Sequence, residues 1–271
     1  TTVSGSIYID PANTTTYVND CIFDNNTADN KGGAILASGN LEVYNSNFTD
    51  NYAGYYAGAI YTGNLNYHSY LIVDNCTFNH NGASGYNTGT EGTNPPGAGV
   101  IYILGSANIT DSNFTNNFIS KDLSLNIGSS GAVFYIRQGN NLNITSCNFI
   151  NNSALNSKTY TAGSIAYGNQ GYGGVIAADP GSILTVHNSN FINNSAVKGG
   201  AISVRANSTD SALVYLYDCN FTGNKALLDS TDGSGLGGAL YVTGNLTAVN
   251  VTYINNSISK NDAHINNLTQ G

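Results

Sequence analysis

Tryptophan and methionine are absent from this chain of 271 residues, and charge is scarce, with eight Lys and Arg against sixteen Asp and Glu. The formal net charge of -8 and a pI near 4.6 exclude a basic nucleic-acid-binding surface, so no nucleic acid is expected as a partner. No apolar run is long enough to cross a bilayer, which argues against membrane insertion within this chain. The opening Thr-Thr-Val-Ser lacks both the basic and the apolar region of a signal peptide. Polarity comes instead from Asn, Thr, Ser, Gly and Tyr, uncharged groups that pair with one another in ordered arrays and hydrogen-bond to sugars and water.

One pattern recurs from end to end. Its tightest element is Phe-x-x-Asn, at Phe23 to Asn26, Phe48 to Asn51, Phe78 to Asn81, Phe114 to Asn117, Phe149 to Asn152, Phe191 to Asn194 and Phe221 to Asn224, with Tyr253 to Asn256 as a degenerate last copy. Between copies stands Gly-Gly-Ala-Ile or a variant of it: Gly32 to Ile35, Ala57 to Ile60, Ala98 to Ile101, Ser130 to Val133, Gly173 to Ile176, Gly199 to Ile202 and Gly237 to Leu240. The shortest spacing is about 25 residues, a period of solenoids and too short for propeller blades, which need about 40. The spacing predicts an all-β fold, a right-handed single-stranded parallel β-helix of three-sided coils, with residues 1–271 forming one domain of about eight coils. At about 4.8 Å per coil, the rod would be nearly 40 Å long. Its first and last coils are cut within the repeat and no amphipathic capping helix closes them, so a piece of a larger surface protein is expected.

Stacking gives each position a physical reason. Aliphatic residues seven and five before the aromatic, such as Leu41 and Val43 or Leu142 and Ile144, alternate so that both point inward. The Phe residues would stack ring on ring. The Asn would form an amide ladder at a tight corner, where Asn also tolerates left-handed backbone. Gly-Gly-Ala reads as a sharp bend followed by a strand with room only for small side chains. Cys21, Cys76, Cys147 and Cys219 all stand two positions before the aromatic, with Ser46, Ser112 and Ser189 in the coils between. Cysteines two coils apart are separated by about 9.6 Å, beyond the roughly 7 Å limit for a bridge, so no disulfide is expected and the thiols are read as small apolar fillers.

The alternation, seen most completely in Phe191-Ile-Asn-Asn-Ser-Ala-Val-Lys-Gly-Gly-Ala-Ile202, resembles the repeat of chlamydial polymorphic membrane proteins and of adhesin-like surface proteins of methanogenic archaea. The Asn, Thr and Tyr bias with few cysteines is more similar to the methanogen group. The resemblance implies a secreted, surface-displayed β-helix used in attachment, at an extracellular, cell-surface location.

Insertions cluster between the Asn corner and the following glycines, at Gly82 to Gly97, Phe118 to Ser129, Ser153 to Tyr172 and Lys225 to Leu236, and should protrude from one edge of the rod. Their Gly, Ser, Asn, Thr and Tyr content combines rigid aromatic contact with adaptable hydrogen bonding, which makes Tyr86, Tyr160, Tyr167 and Tyr172 candidates for contact with a sugar or partner. The plainer alternative is that a solenoid surface tolerates insertion there. Register also brings together Arg137, Asp179 and Arg205, each shortly after a Gly-Gly-Ala strand, as a surface ion pair with a stacked Arg or as a carboxylate-binding or lyase-like site. His68, His80, His187 and His264 fall in no metal-ligand spacing, and Asp229 to Asp232 lacks an Asp-x-Asp-x-Asp loop, so neither metal nor cofactor is expected. Sequons abound, and Asn13 and Asn207, lying outside the strand motif, are the glycosylation candidates.

Three readings of function stand. One is a non-enzymatic, monomeric adhesin whose rod holds its loops toward a glycan or protein on another cell. Another is a pectate-lyase-like enzyme acting on acidic polysaccharide, since the fold permits it; however, the acidic residues are scattered singly, and glycoside cleavage needs a facing pair. The third is a purely structural envelope component, which would show no saturable binding. The register itself has a direct chemical check: thiol titration of denatured, unreduced protein should count four thiols, and a count of zero would refute it.

Overall fold

In a computed structural model, which describes residues 5–10, 14–63, 69–84, 97–120, 130–155, 171–227 and 235–259, the chain winds as a parallel β-helix. Among the described residues every element is a strand. One coil is made of the strands Ile35–Ala37, Asn40–Tyr44, Asn47–Thr49 and Tyr52–Ala53. These belong in order to sheets A, B, C and D, each of eight parallel strands whose neighbours come from successive coils. The expected three sides are therefore four. The extra side is the two- or three-residue strand after the ladder Asn, too short to show any hydrophobic period.

Pairing is strictly in register. Phe48 faces Phe78, Phe78 faces Phe114, and the same holds up the stack. Centroids from Phe23 through Phe221 to Tyr253 lie 4.6 to 5.3 Å apart with near-parallel planes, so the rings form one continuous file. The aliphatic pairs seven and five before the Phe are buried beside it, and each ring pair adds about 0.5–1.5 kcal/mol beyond its burial.

The amide ladder is present and fully engaged. Asn152 Oδ1 accepts from the backbone N–H of Asn117 at 2.9 Å and from its Nδ2 at 3.0 Å. Its own Nδ2 donates to Asn194 Oδ1 and to the carbonyl of Phe114, both at 3.0 Å. The left-handed residue is not the ladder Asn, as the sequence reading expected, but the one before it: Asn25, Asp50, His80, Asn116, Asn151, Asn193 and Asn255 have φ from 53° to 58°. These types and glycine, here Gly223, tolerate that conformation, and the shift leaves the ladder Asn free to aim its amide inward. A second left-handed column, three residues before the aromatic, runs from Asp20 to Asn250 and turns sheet B into sheet C.

Two further corrections concern small residues. The fourth Gly-Gly-Ala copy is Gly131 to Phe134 and not Ser130 to Val133, because Phe134 pairs with Ile101 and Gly131 has φ of 67°. The Cys and Ser column is more than apolar filler. Each Ser hydroxyl donates to the carbonyl two residues earlier, as Ser112 does to Thr110 at 2.7 Å, and accepts the amide of the coil before, as from Cys76 at 3.0 Å. The thiols of Cys76, Cys147 and Cys219 lie 3.2 to 3.3 Å from the equivalent carbonyls and are buried, whereas Cys21 is half-buried. The second glycine of the motif is fixed by close approach: a Cβ on Gly200 would lie 2.0 Å from the carbonyl oxygen of Gly238.

The ladder and the bend make opposite predictions. Asn152→Ala orphans buried donors on Asn117 and should cost about 2–4 kcal/mol. Ala57→Gly, at a φ of 60° that alanine adopts only under strain, should gain about 1 kcal/mol. Denaturation midpoints check both; an unchanged midpoint for Asn152→Ala would contradict the ladder's role.

Candidate functional site on the outer face of sheet A

Strand alternation sends the first and third residues of each sheet A strand inward and the middle one outward. In register, the middle residues run Leu36, Tyr61, Tyr102, Tyr135, Ala177, Ser203 and Tyr241. This makes a second aromatic column outside the main core. Tyr61 and Tyr102 stack at 5.1 Å, Tyr102 and Tyr135 follow at 5.2 Å, and Tyr56 meets Tyr102 edge-on at 5.3 Å. The exposures of Tyr61, Tyr102 and Tyr135 are 8%, 1% and 0%, so outward-pointing residues are as buried as core. Burial pushes the Tyr61 phenol up to about 12 and those of Tyr102 and Tyr135 well above their ordinary value.

Cations border the column. Lys31 Nζ sits 4.6 Å from the centre of the Tyr61 ring and donates to its phenol oxygen at 3.3 Å. The Arg205 guanidinium lies 4.9 Å over Tyr172, and Lys198 Nζ stands 5.8 Å from both Tyr172 and Tyr241. Asp179 accepts from Arg205 Nη2 at 2.6 Å and from the phenol of Tyr135. Arg137 forms no ion pair among the described residues; its charge instead opposes the burial-driven rise of the phenols of Tyr56, Tyr61 and Tyr102. Of the Lys and Arg among the described residues, only Lys225, on sheet D, lies away from this face. In an acidic chain that is a marked segregation of positive charge. The buried hydroxyls of Ser130 and Ser203, which flank Tyr172 and Ala177 in register, have no hydrogen-bond partner among the described residues.

The structure brings together Tyr172, Asp179 and Arg205 of the residues singled out in the sequence, with Arg137 one coil away. Tyr86, Tyr160 and Tyr167, and the glycosylation candidate Asn13, lie outside the described residues. The insertions all leave from the end of a sheet D strand and re-enter before a sheet A strand, at one corner of the rod. Asn207 is exposed in the turn after Val204, and its Oδ1 accepts the backbone N–H groups of Thr209 and Asp210 at 2.8 and 2.6 Å. His187 stacks on Tyr217 at 4.7 Å, and among the described residues no group of His, Cys, Asp and Glu is arranged to hold a metal.

Sequence reasoning missed Tyr61, Tyr102, Tyr135, Tyr241 and Lys198. The signal was available: an aromatic directly after the motif's Ile or its equivalent recurs in Ile60-Tyr61, Ile101-Tyr102, Phe134-Tyr135 and Leu240-Tyr241.

Three segments, residues 20–38, 188–205 and 218–243, match the model of the Chlamydia polymorphic membrane protein repeat. Each spans the passage from the Phe-x-x-Asn turn to a sheet A strand, and the second contains Lys198 and Arg205. No curated protein and no solved structure matches the chain.

Phenols whose folded value is raised stabilise the fold fully below their ordinary value of 10.0 and lose that contribution as pH climbs toward the folded value. Spectrophotometric titration should therefore show a class of tyrosines that stays un-ionised past pH 10 and ionises only as near-UV structure is lost. A single transition near the ordinary value, with structure intact, would contradict their burial.

Proposed function

We propose that this protein is an extracellular, cell-surface, adhesin-like rod that attaches to a glycan or protein on another cell, with the outer face of sheet A and the corner beside it as the contact region. The observation that carries this reading is the coincidence, on one edge, of the cation-bordered tyrosine column with the corner from which every long insertion departs. Tyr172 and Arg205, partly exposed beside the buried column, are of the residue types that supply most binding energy at interfaces, and the charge favours an anionic partner such as an acidic surface glycan. The repeat match to the polymorphic membrane protein family supports a surface setting, and the Asn, Thr and Tyr bias supports the likeness to methanogen surface proteins.

Rigidity suits display. Each coil is locked to its neighbours by backbone ladders on four sides and by the ring and amide files within, so contacts at one coil are held at fixed spacing from those at the next. The polysaccharide-cleaving reading draws less support, because the Asp179 carboxylate is already engaged by Arg205 and Tyr135 and is poorly placed to act as a base.

Glycan-array and whole-cell binding test the reading. Saturable binding is expected, weakened at least about tenfold in a Tyr172→Ala, Arg205→Ala double variant, about 1.4 kcal/mol or more. Absence of saturable binding would favour a structural envelope role, and sugar release from acidic polysaccharide that is lost in Arg205→Ala would favour the enzyme.

A further inference from the structure

A separate cleft opens on another side of the rod, on the turn between sheets C and D, and it is lined by Asp24, Asn25, Asp50, Tyr52, His80 and Phe118 over the buried amide of Asn51. Its volume of about 570 Å³ lies within the range of small-ligand sites. We propose that this cleft binds a non-acidic pyranose sugar, neutral or amino-bearing, and that it does so independently of the sheet A face, with which it shares no residue.

An aromatic shelf is the first support. In the outward column of sheet D, Tyr52, Gly82 and Phe118 stand on successive coils. Tyr52 and Phe118 are thus two coils apart, about 9.6 Å, with only a glycine between them. Phe118 leans into the vacant position: a Cβ on Gly82 would lie 2.4 Å from its ring carbons. The ring therefore lies over Gly82 and stays partly exposed. His80 packs against it at 5.4 Å. Such a shelf has the shape that the apolar face of a sugar ring stacks on, as bases do on aromatic platforms.

The polar rim is the second support. Asn25, Asp50 and His80 are consecutive members of the left-handed column, with φ of 54°, 54° and 55°, and this conformation throws their side chains outward at the cleft. His80 Nδ1 is bonded to Asp50 Oδ1, which fixes the imidazole and leaves Nε2 free of hydrogen bonds among the described residues. Asp24 is exposed, and among the described residues it makes no hydrogen bond or ion pair. A carboxylate of this kind accepts two sugar hydroxyls in charge-assisted hydrogen bonds. No Lys or Arg lines the cleft, so an acidic sugar would meet uncompensated repulsion. The two sites then select sugars of opposite character.

The test is a set of NMR titrations of the whole chain with cellotriose, mannotriose, glucosamine trimer and trigalacturonate. At least one of the first three should saturate shifts of residues lining the cleft. Binding should weaken at least about fivefold in both Phe118→Ala and Asp24→Ala and persist unchanged in Arg205→Ala. Asp24 is exposed, so its variant remains informative even if Phe118→Ala unfolds. The proposal is overturned if none of the three saturates at concentrations on the order of 10 mM, if Asp24→Ala leaves binding intact, or if trigalacturonate binds the cleft as well as they do. Trigalacturonate binding that is lost in Arg205→Ala reports on the sheet A face alone and leaves the cleft to be judged by the other three.

Discussion

Hydrogen-bonded parallel strands sit about 4.8 Å apart, and that spacing governs everything else in this molecule. It is close enough for aromatic rings to stack, and it lets one Asn amide reach the equivalent amide above or below. A side chain placed at the same point of every coil therefore either satisfies its neighbours or crowds them. The chain's low charge follows from the same rule: identical charges one rung apart would repel along the full length of a column. Asn escapes the problem because its amide both donates and accepts, and the ladder from Asn26 to Asn256 uses both capacities at every step. Small-residue columns obey the same geometry, with Ser hydroxyls and Cys thiols meeting carbonyls and amides of adjacent turns.

How far the sequence disclosed this depended on whether a position carried its own chemical signature. Phe191 and Asn194 announce their columns because few roles other than stacking explain an aromatic and an amide recurring at fixed separation. The fourth side did not announce itself, since strands as short as Tyr52–Ala53 have no period to detect. The left-handed residue was misplaced by one because Asn occupies both positions in several coils, as in Asn151-Asn152, so residue type alone does not separate corner from ladder. The slip at Ser130 arose where the motif has lost a glycine and Phe replaces Ile, and only strand pairing settles it.

The candidate site was half legible. Register alone placed Arg137, Asp179 and Arg205 on neighbouring coils, and the structure joins two of them. The buried tyrosines were harder to find, because an outward-pointing residue on a solenoid is ordinarily solvated; the burial of Tyr102 and Tyr135 is a tertiary fact. The cleft at His80 was not legible: His80 belongs to no motif, and Gly82 looks like any other glycine until Phe118 is seen lying across it. The proposed cleft sits where the repeat departs from its own consensus, at an Asp or His in an Asn column or a glycine between two aromatics. A regular scaffold leaves such departures free to vary, because the columns beneath them carry the stability.

The central claim, that equivalent side chains hold one another in file, is tested most directly by hydrogen exchange of the Asn side-chain amides. The Nδ2 protons of Asn51, Asn81, Asn117, Asn152, Asn194 and Asn224 should exchange as slowly as the most protected backbone amides, since releasing any one of them requires coils to separate. Exchange at the rate of a free primary amide, with the fold intact, would contradict the account.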